Sequence, residues 1–141
     1  SQLDFGAASQ ARKRDGRETL RLNPADARAR GIGEGEVVRV FNDRGACFAA
    51  ATIDEALRRG CVQLPTGAWF DPLDAADPPT CLAGNPNALT RDRGTSQLAQ
   101  ACTGQLTLVE VEPAPDAPLP RGHGAPSIVE PAANDDHSGV A

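Results

Sequence analysis

The sequence has no methionine and no tyrosine, a single tryptophan (Trp69), a single lysine (Lys13) and only two histidines, His123 and His137. Aromatic residues make up 4% of its 141 residues, a length suited to one domain and not two. The core is therefore expected to be small and built from Val, Leu, Ile and Ala, with Trp69 and four Phe as its few large pieces. Both histidines fall in a carboxyl-terminal stretch without periodicity, which excludes a Ser-His-Asp or Cys-His site inside the core. No C-x-x-C occurs: Cys47, Cys61, Cys81 and Cys102 stand far apart, so zinc-ribbon and thioredoxin-type readings fail on spacing. Cys47, among Ala and Phe, reads as a buried reduced thiol and points to a reducing compartment. No G-x-x-x-x-G-K-[ST] occurs, which excludes a P-loop. No apolar run reaches the roughly 18 residues of a membrane span. The formal net charge of −5 argues against general nucleic-acid binding. Basic charge is almost wholly arginine, which genome composition explains before any anion site does. A chain without methionine that begins at Ser1 reads as a piece of a longer protein.

Residues 1–17 form a polar entrance segment whose basic run, Ala11-Arg12-Lys13-Arg14-Asp15-Gly16-Arg17, is expected to be a solvated loop. A strand is predicted at 18–22. Asn23-Pro24 is a helix start, with Asn as N-cap and Pro at the first helical position. Asp26 sits where the helix dipole favours a carboxylate, and Gly31 offers a left-handed C-cap. Gly31-Ile32-Gly33-Glu34-Gly35 thus reads as a cap and turn; a dinucleotide fingerprint would link a strand to a helix with different spacing. Strands are predicted at 36–42 and 46–53, joined by a hairpin at Asp43-Arg44-Gly45. The alanines of the second suggest tight inward packing. A turn at 54–59, a strand at 61–64, a loop at 66–87, a short helix from Thr95 or Ser96 to about 101 and a last strand at 104–112 complete the domain. Several short strands, two short helices and no βαβ alternation point to a small β-barrel over 18–112. Residues 113–141, rich in Pro, Ala and Asp, are expected to be a disordered tail.

The densest polar chemistry lies in 84–100. Thr95 and Ser96, at a predicted helix start, present N–H and hydroxyl groups that suit a phosphate. Asp92 suits a guanine N–H pair, while Asn85, Asn87, Gln100 and Gln105 can each donate and accept, as the mixed edge of a pterin requires. Equally, such amides can cap the loop's own backbone, and the residues alone leave both readings open. Asp92-Arg93-Gly94-Thr95 also invites comparison with the nucleophilic loop of a dimeric aspartic protease. Arg93, however, stands where a small hydroxyl residue belongs, and a fixed cation there would disturb the shared proton.

Longer stretches carry a family likeness. Ser1-Gln2-Leu3-Asp4, Gly16-Arg17-Glu18, Asn23-Pro24-Ala25-Asp26-Ala27 and Arg30-Gly31-Ile32 are followed by Val37-Val38-Arg39-Val40-Phe41-Asn42-Asp43-Arg44-Gly45, Gly67-Ala68-Trp69-Phe70-Asp71-Pro72 and the polar loop. In this order, over about residues 1–112, the chain resembles the C-terminal molybdopterin dinucleotide-binding domain of the dimethyl sulfoxide reductase family, in its biotin sulfoxide and trimethylamine N-oxide reductase branch. The resemblance implies a mainly β fold, a six-stranded double-psi β-barrel of the aspartate-decarboxylase-like kind. It implies bis(molybdopterin guanine dinucleotide) as cofactor, with Ser1, Gln2, Asn85, Asn87, Asp92, Thr95, Ser96, Gln100 and Gln105 facing it. It places the molybdenum ligand, a serine, and the substrate contacts in other domains, so no residue here is catalytic. It further implies partners in the remaining domains of a reductase acting on S-oxides or N-oxides, a cytoplasmic location before a periplasmic one, and little activity for the isolated chain. The family usually has Gly where this chain has Ala101. The alternative from another class is a free-standing barrel that binds a nucleotide or a partner without catalysis.

Overall fold

The computed structural model describes residues 4–74, 76, 78–91, 93–98, 100, 101, 103, 104 and 107–122. Six strands form one curled sheet in the order β4-β1-β3-β2-β6, with β5 beside β3 off that path. These are β1 (Thr19–Leu22), β2 (Val37–Phe41), β3 (Ala46–Ile53), β4 (Val62–Gln63), β5 (Thr80–Cys81) and β6 (Glu110–Pro113). Two helices accompany them, α1 (Ala7–Gln10) and α2 (Pro24–Arg30), with a 3-10 turn at Pro86–Ala88. The mainly β reading holds, and the curl is that of a half-barrel.

β3 is the spine. Antiparallel β2 lines one edge, from Val37 opposite Ala50 to Phe41 opposite Ala46. The other edge is shared by two parallel partners, β1 against Ala50–Ile53 and β5 against Ala46 and Cys47. Both edges being filled, the strand is buried along most of its length. Cys47, Ala49 and Ala51 alternate onto the concave face with Leu20, Leu22, Val38, Val40, Cys81, Ala83, Leu89 and Val111. Each buried Leu or Val there contributes about 1.5–3 kcal/mol. Small residues on β3 let the sheet curl tightly, as the alanine pattern predicts.

The local punctuation also holds. Asn23 Oδ1 accepts from Ala25 N at 2.9 Å, Pro24 opens α2, and Gly31 closes it at φ 66°. In the hairpin, Asn42 N donates to Gly45 O and Asn42 Oδ1 accepts from Arg44 N.

Four expectations are corrected. Of the aromatics only Phe48 is buried, while the others sit at the rim: Trp69 is half-buried, Phe70 exposed, and Phe41 lies under the Arg39 guanidinium at 4.3 Å. The basic run is not wholly solvated. Asp15 and Gly16, both at positive φ, turn the chain so that Arg17 points inward and is 1% exposed, and Lys13 pairs with buried Asp4 at 2.6 Å. The last strand is confined to Glu110–Pro113. Finally, residues 114–122, assigned by composition to a disordered tail, are held against the barrel: Ala114 N donates to Val37 O, and Arg17 donates to the carbonyls of Ala117 and Pro118. His123 and His137 lie outside the described residues.

Candidate functional site

Three segments meet at one side of the sheet: the hairpin tip 41–44, the Asn-rich loop 84–91 and the loop 93–101. Gly45 makes the meeting possible. A Cβ on it would run into the backbone carbonyls of Ala88 and Pro79, so only glycine lets the hairpin lie against the Asn loop. Asn42 fastens the contact, donating through Nδ2 to Leu89 O at 3.0 Å and Leu108 O at 3.1 Å. Arg44 Nε donates to the same Leu89 carbonyl at 2.8 Å.

Two open clefts result. The larger, about 1120 Å³, is lined by the hairpin tip, by Thr95, Ser96, Gln97 and Gln100, and by the 107–110 segment. The smaller, about 740 Å³, is lined by Phe70, Asn85, Asn87 and Thr90. Arg44, Arg91 and Arg93 line both. Arg44 pairs with Asp43 at 2.8 Å; among the described residues Arg91 and Arg93 make no ion pair. Three arginines shared between two adjoining clefts are an arrangement that takes a bridging anion such as a pyrophosphate.

The structure therefore brings together five of the expected residues. Asn85 is buried and engaged on both sides of its amide, with Oδ1 accepting from Asn87 N at 2.8 Å and Nδ2 donating to Ala68 O at 2.8 Å. It shapes the loop, whereas Asn87 is exposed on the cleft wall. Thr95 Oγ1 accepts from Ala101 N, Ser96 Oγ accepts from Leu98 N, and Gln100 Nε2 donates to Ser96 O. Residues 95–98 form bends where a helix start is predicted. The Thr95 bond spans six residues, out of register with a helical turn. The Gln100 amide lies where a Cβ on Gly94 would sit, folding the loop back on itself. Ser1, Gln2, Asp92 and Gln105 lie outside the described residues, and with Asp92 the motif of the protease alternative. Among the described residues no group of His, Cys, Asp and Glu is arranged to hold a metal ion.

Sequence reasoning missed the three cleft arginines, whose abundance was ascribed to genome composition. The available signal was their place, one inside the Phe41–Gly45 signature and two flanking Asp92. At the amino-terminal side of the barrel, burial holds the Glu18 carboxyl above its ordinary range; Lys13 opposes this and Asp4 adds to it.

Residues 1–108 match the profile of the family described as Molydopterin dinucleotide binding domain. The chain belongs to this family. A biotin sulfoxide reductase of Cereibacter sphaeroides is 47% identical over 112 residues, 79% of this chain and 15% of that protein. Trimethylamine-N-oxide reductase 1 of Escherichia coli K12 is 50% identical over 98 residues, 69% of this chain and 12% of the relative. The trimethylamine-N-oxide reductase of Vibrio vulnificus is 45% identical over 97 residues, with the same coverage of each chain. The chain thus spans only a small fraction of the relatives it matches. In fold it is similar to acetylene hydratase from Pelobacter acetylenicus, with a TM-score of 0.52 at 17% identity over 69% of this chain and 14% of that one. That likeness is one of fold alone, and the clefts are formed by residues inside or bordering the matched region. Among the described residues no helix is long and apolar enough to cross a membrane.

Proposed function

We propose that this domain holds the dinucleotide of bis(molybdopterin guanine dinucleotide) within a molybdenum reductase of S-oxides or N-oxides. The observation that carries the reading is the pair of clefts joined at Arg44, Arg91 and Arg93 within a domain of this family. The donor set fits the group. Three guanidiniums match a pyrophosphate, while Asn87, Gln97 and Gln100 line the walls with groups that both donate and accept. The volumes suit a ligand of nucleotide size. Ser1, Gln2, Asp92 and Gln105 complete the proposed set, with Thr95 and Ser96 at the phosphate side.

When bound, the cofactor supplies oxygen-atom transfer at molybdenum. The chain's residues bind and orient it and keep water from it, the usual division of labour between cofactor and protein. The molybdenum ligand, the substrate site and the electron donor belong to the remaining domains, which are this domain's partners. The substrate is an S-oxide or N-oxide of the biotin sulfoxide, dimethyl sulfoxide or trimethylamine N-oxide type, and the location is cytoplasmic in preference to periplasmic.

The test uses the intact protein purified from a molybdenum-replete host. Acid denaturation should release guanine nucleotide and molybdenum together, and Arg44→Ala should lower both. Finding neither in the wild type overturns the proposal in favour of a free-standing binding barrel.

A further inference from the structure

Residues 114–122 lie beyond the family-matched region, yet two buried charged groups hold them. Arg17 donates to Ala117 O at 3.3 Å and Pro118 O at 2.5 Å. Among the described residues its Nε has no hydrogen-bond partner, and burial lowers the guanidinium's affinity for its proton, with Asp15 opposing. Asp71, 2% exposed, accepts from Arg121 N at 2.7 Å, Arg121 Nε at 2.8 Å and Gly122 N at 3.3 Å. The Arg121 guanidinium also reaches Pro72 O and Asp74. Pro120 packs on Gly16 between these two anchors.

Asp71 is the last of four consecutive residues that each tie to a different part of the site. Ala68 O receives the Asn85 amide at 2.8 Å. Trp69 N donates to Asp4 Oδ2 at 3.3 Å, and its ring meets Phe5 with centroids 5.7 Å apart. Phe70 lines the smaller cleft. Asp71 N donates to Cys81 Sγ at 3.4 Å, while Leu82 N donates to Asp71 O at 2.7 Å. The Asn loop, the amino-terminal segment and the cleft wall therefore share one short stretch of backbone, and among the described residues its one buried charge is paired by the strap alone. A buried carboxylate deprived of that partner draws in water or moves outward, dragging this stretch with it.

We propose that residues 114–122 are a strap that sets the shape of the cleft, with Arg121 a positioning residue acting through Asp71. The inference rests on the cofactor reading only for its second readout. In the intact protein, hydrogen exchange is measured in wild type, R121Q, R121K, D71N and the R121Q/D71N double variant, together with the rate at which guanine nucleotide is lost on dilution. R121Q should raise exchange about tenfold at the amides of 69–71 and at Asn87, leave the β2–β3 hairpin unchanged, and speed nucleotide loss about tenfold. R121K should fall between R121Q and wild type, since a point charge keeps the ion pair and loses the fork. D71N should match R121Q, and the double variant should add no more than about twofold.

Unchanged exchange at 69–71 in R121Q overturns the proposal. So does a rise spread evenly through the hairpin in both R121K and D71N, which marks a merely stabilising strap. Should the wild type carry no nucleotide, the function proposed above fails, and the exchange pattern still decides the strap.

Discussion

Gly45 sets the sharpest quantitative test, because its backbone is ordinary and only space forbids a side chain. In Gly45→Ala the new methyl would lie 2.7 Å from Pro79 O and still nearer Ala88 O. Ordinary contact requires those carbonyls to retreat by about 1 Å. Neither moves freely: Pro79 O accepts from Ala46 N at 3.0 Å, and Ala88 ends the 3-10 turn packed on β3. A cost of about 3 kcal/mol, the upper end for overpacking, is expected. The control is Gly31→Ala, where nothing lies within 4 Å and only φ 66° opposes a side chain, at about 1 kcal/mol. At roughly 4 °C per kcal/mol, thermal unfolding followed by circular dichroism should fall by about 12 °C for Gly45→Ala and about 4 °C for Gly31→Ala. Because the displaced carbonyls carry the Asn loop, Gly45→Ala should also lose bound nucleotide, while Gly31→Ala retains it. A Gly45→Ala protein melting above the Gly31→Ala protein refutes the close-approach argument.

Asn85→Ala should cost about 1–2 kcal/mol, since it removes a cap and leaves the buried Ala68 carbonyl unpaired; Asn87→Ala should leave the melting temperature unchanged and weaken nucleotide retention, and equal melting losses in the two would contradict the division of roles. Burial pushes the Asp71 carboxyl up, but the Arg121 side chain and the backbone N–H groups of Arg121 and Gly122 outweigh it and hold its pKa below the ordinary value. Stability from this group is thus full above about pH 4, the unfolded carboxylate range, and is lost as pH falls through the lower folded value. With Arg121, Asp74 and the Cys81 thiol as its neighbours, Asp71→Asn should flatten that part of the acid dependence of the melting temperature, and an unaltered profile would show the strap contributes nothing. Burial, with Cys81 adding, raises the Cys47 thiol to about 12, so iodoacetamide at pH 8 should label exposed Cys61 in the native protein and leave Cys47 unlabelled until urea is added, as peptide mapping would show.

What was legible in the sequence shares one property: its cause lies within a few residues. Asn23-Pro24 and Gly31 bound α2 through their own dihedrals and caps, and Asn42 to Gly45 close a hairpin through bonds inside the turn. The alanines of β3 report burial because small side chains suit a strand paired on both edges and packed into the core. Family likeness extended this to the polar loop, where Asn85 and Gln100 turn out to spend amide groups on backbone, Asn85 on Asn87 and Ala68 and Gln100 on Ser96, while still bordering the clefts. The helix predicted from Thr95 is replaced by a loop, in which Thr95 Oγ1 takes the Ala101 N–H six residues on, out of helical register.

The strap was illegible for a different reason. A compositional argument weighs apolar area against chain entropy, and residues 114–122 offer little apolar area to weigh. Their fixation rests instead on buried Arg17 and Asp71, which lie 101 and 50 residues away from the groups they bind. Charge-assisted bonds to buried groups are worth about 1.5–3 kcal/mol each. A few of them can order a segment that has no hydrophobic face of its own. The signal that remained in the sequence was an arginine and an aspartate inside family-matched motifs with no local partner. A buried charge must find one somewhere in the chain, and here the Pro- and Ala-rich segment supplies it.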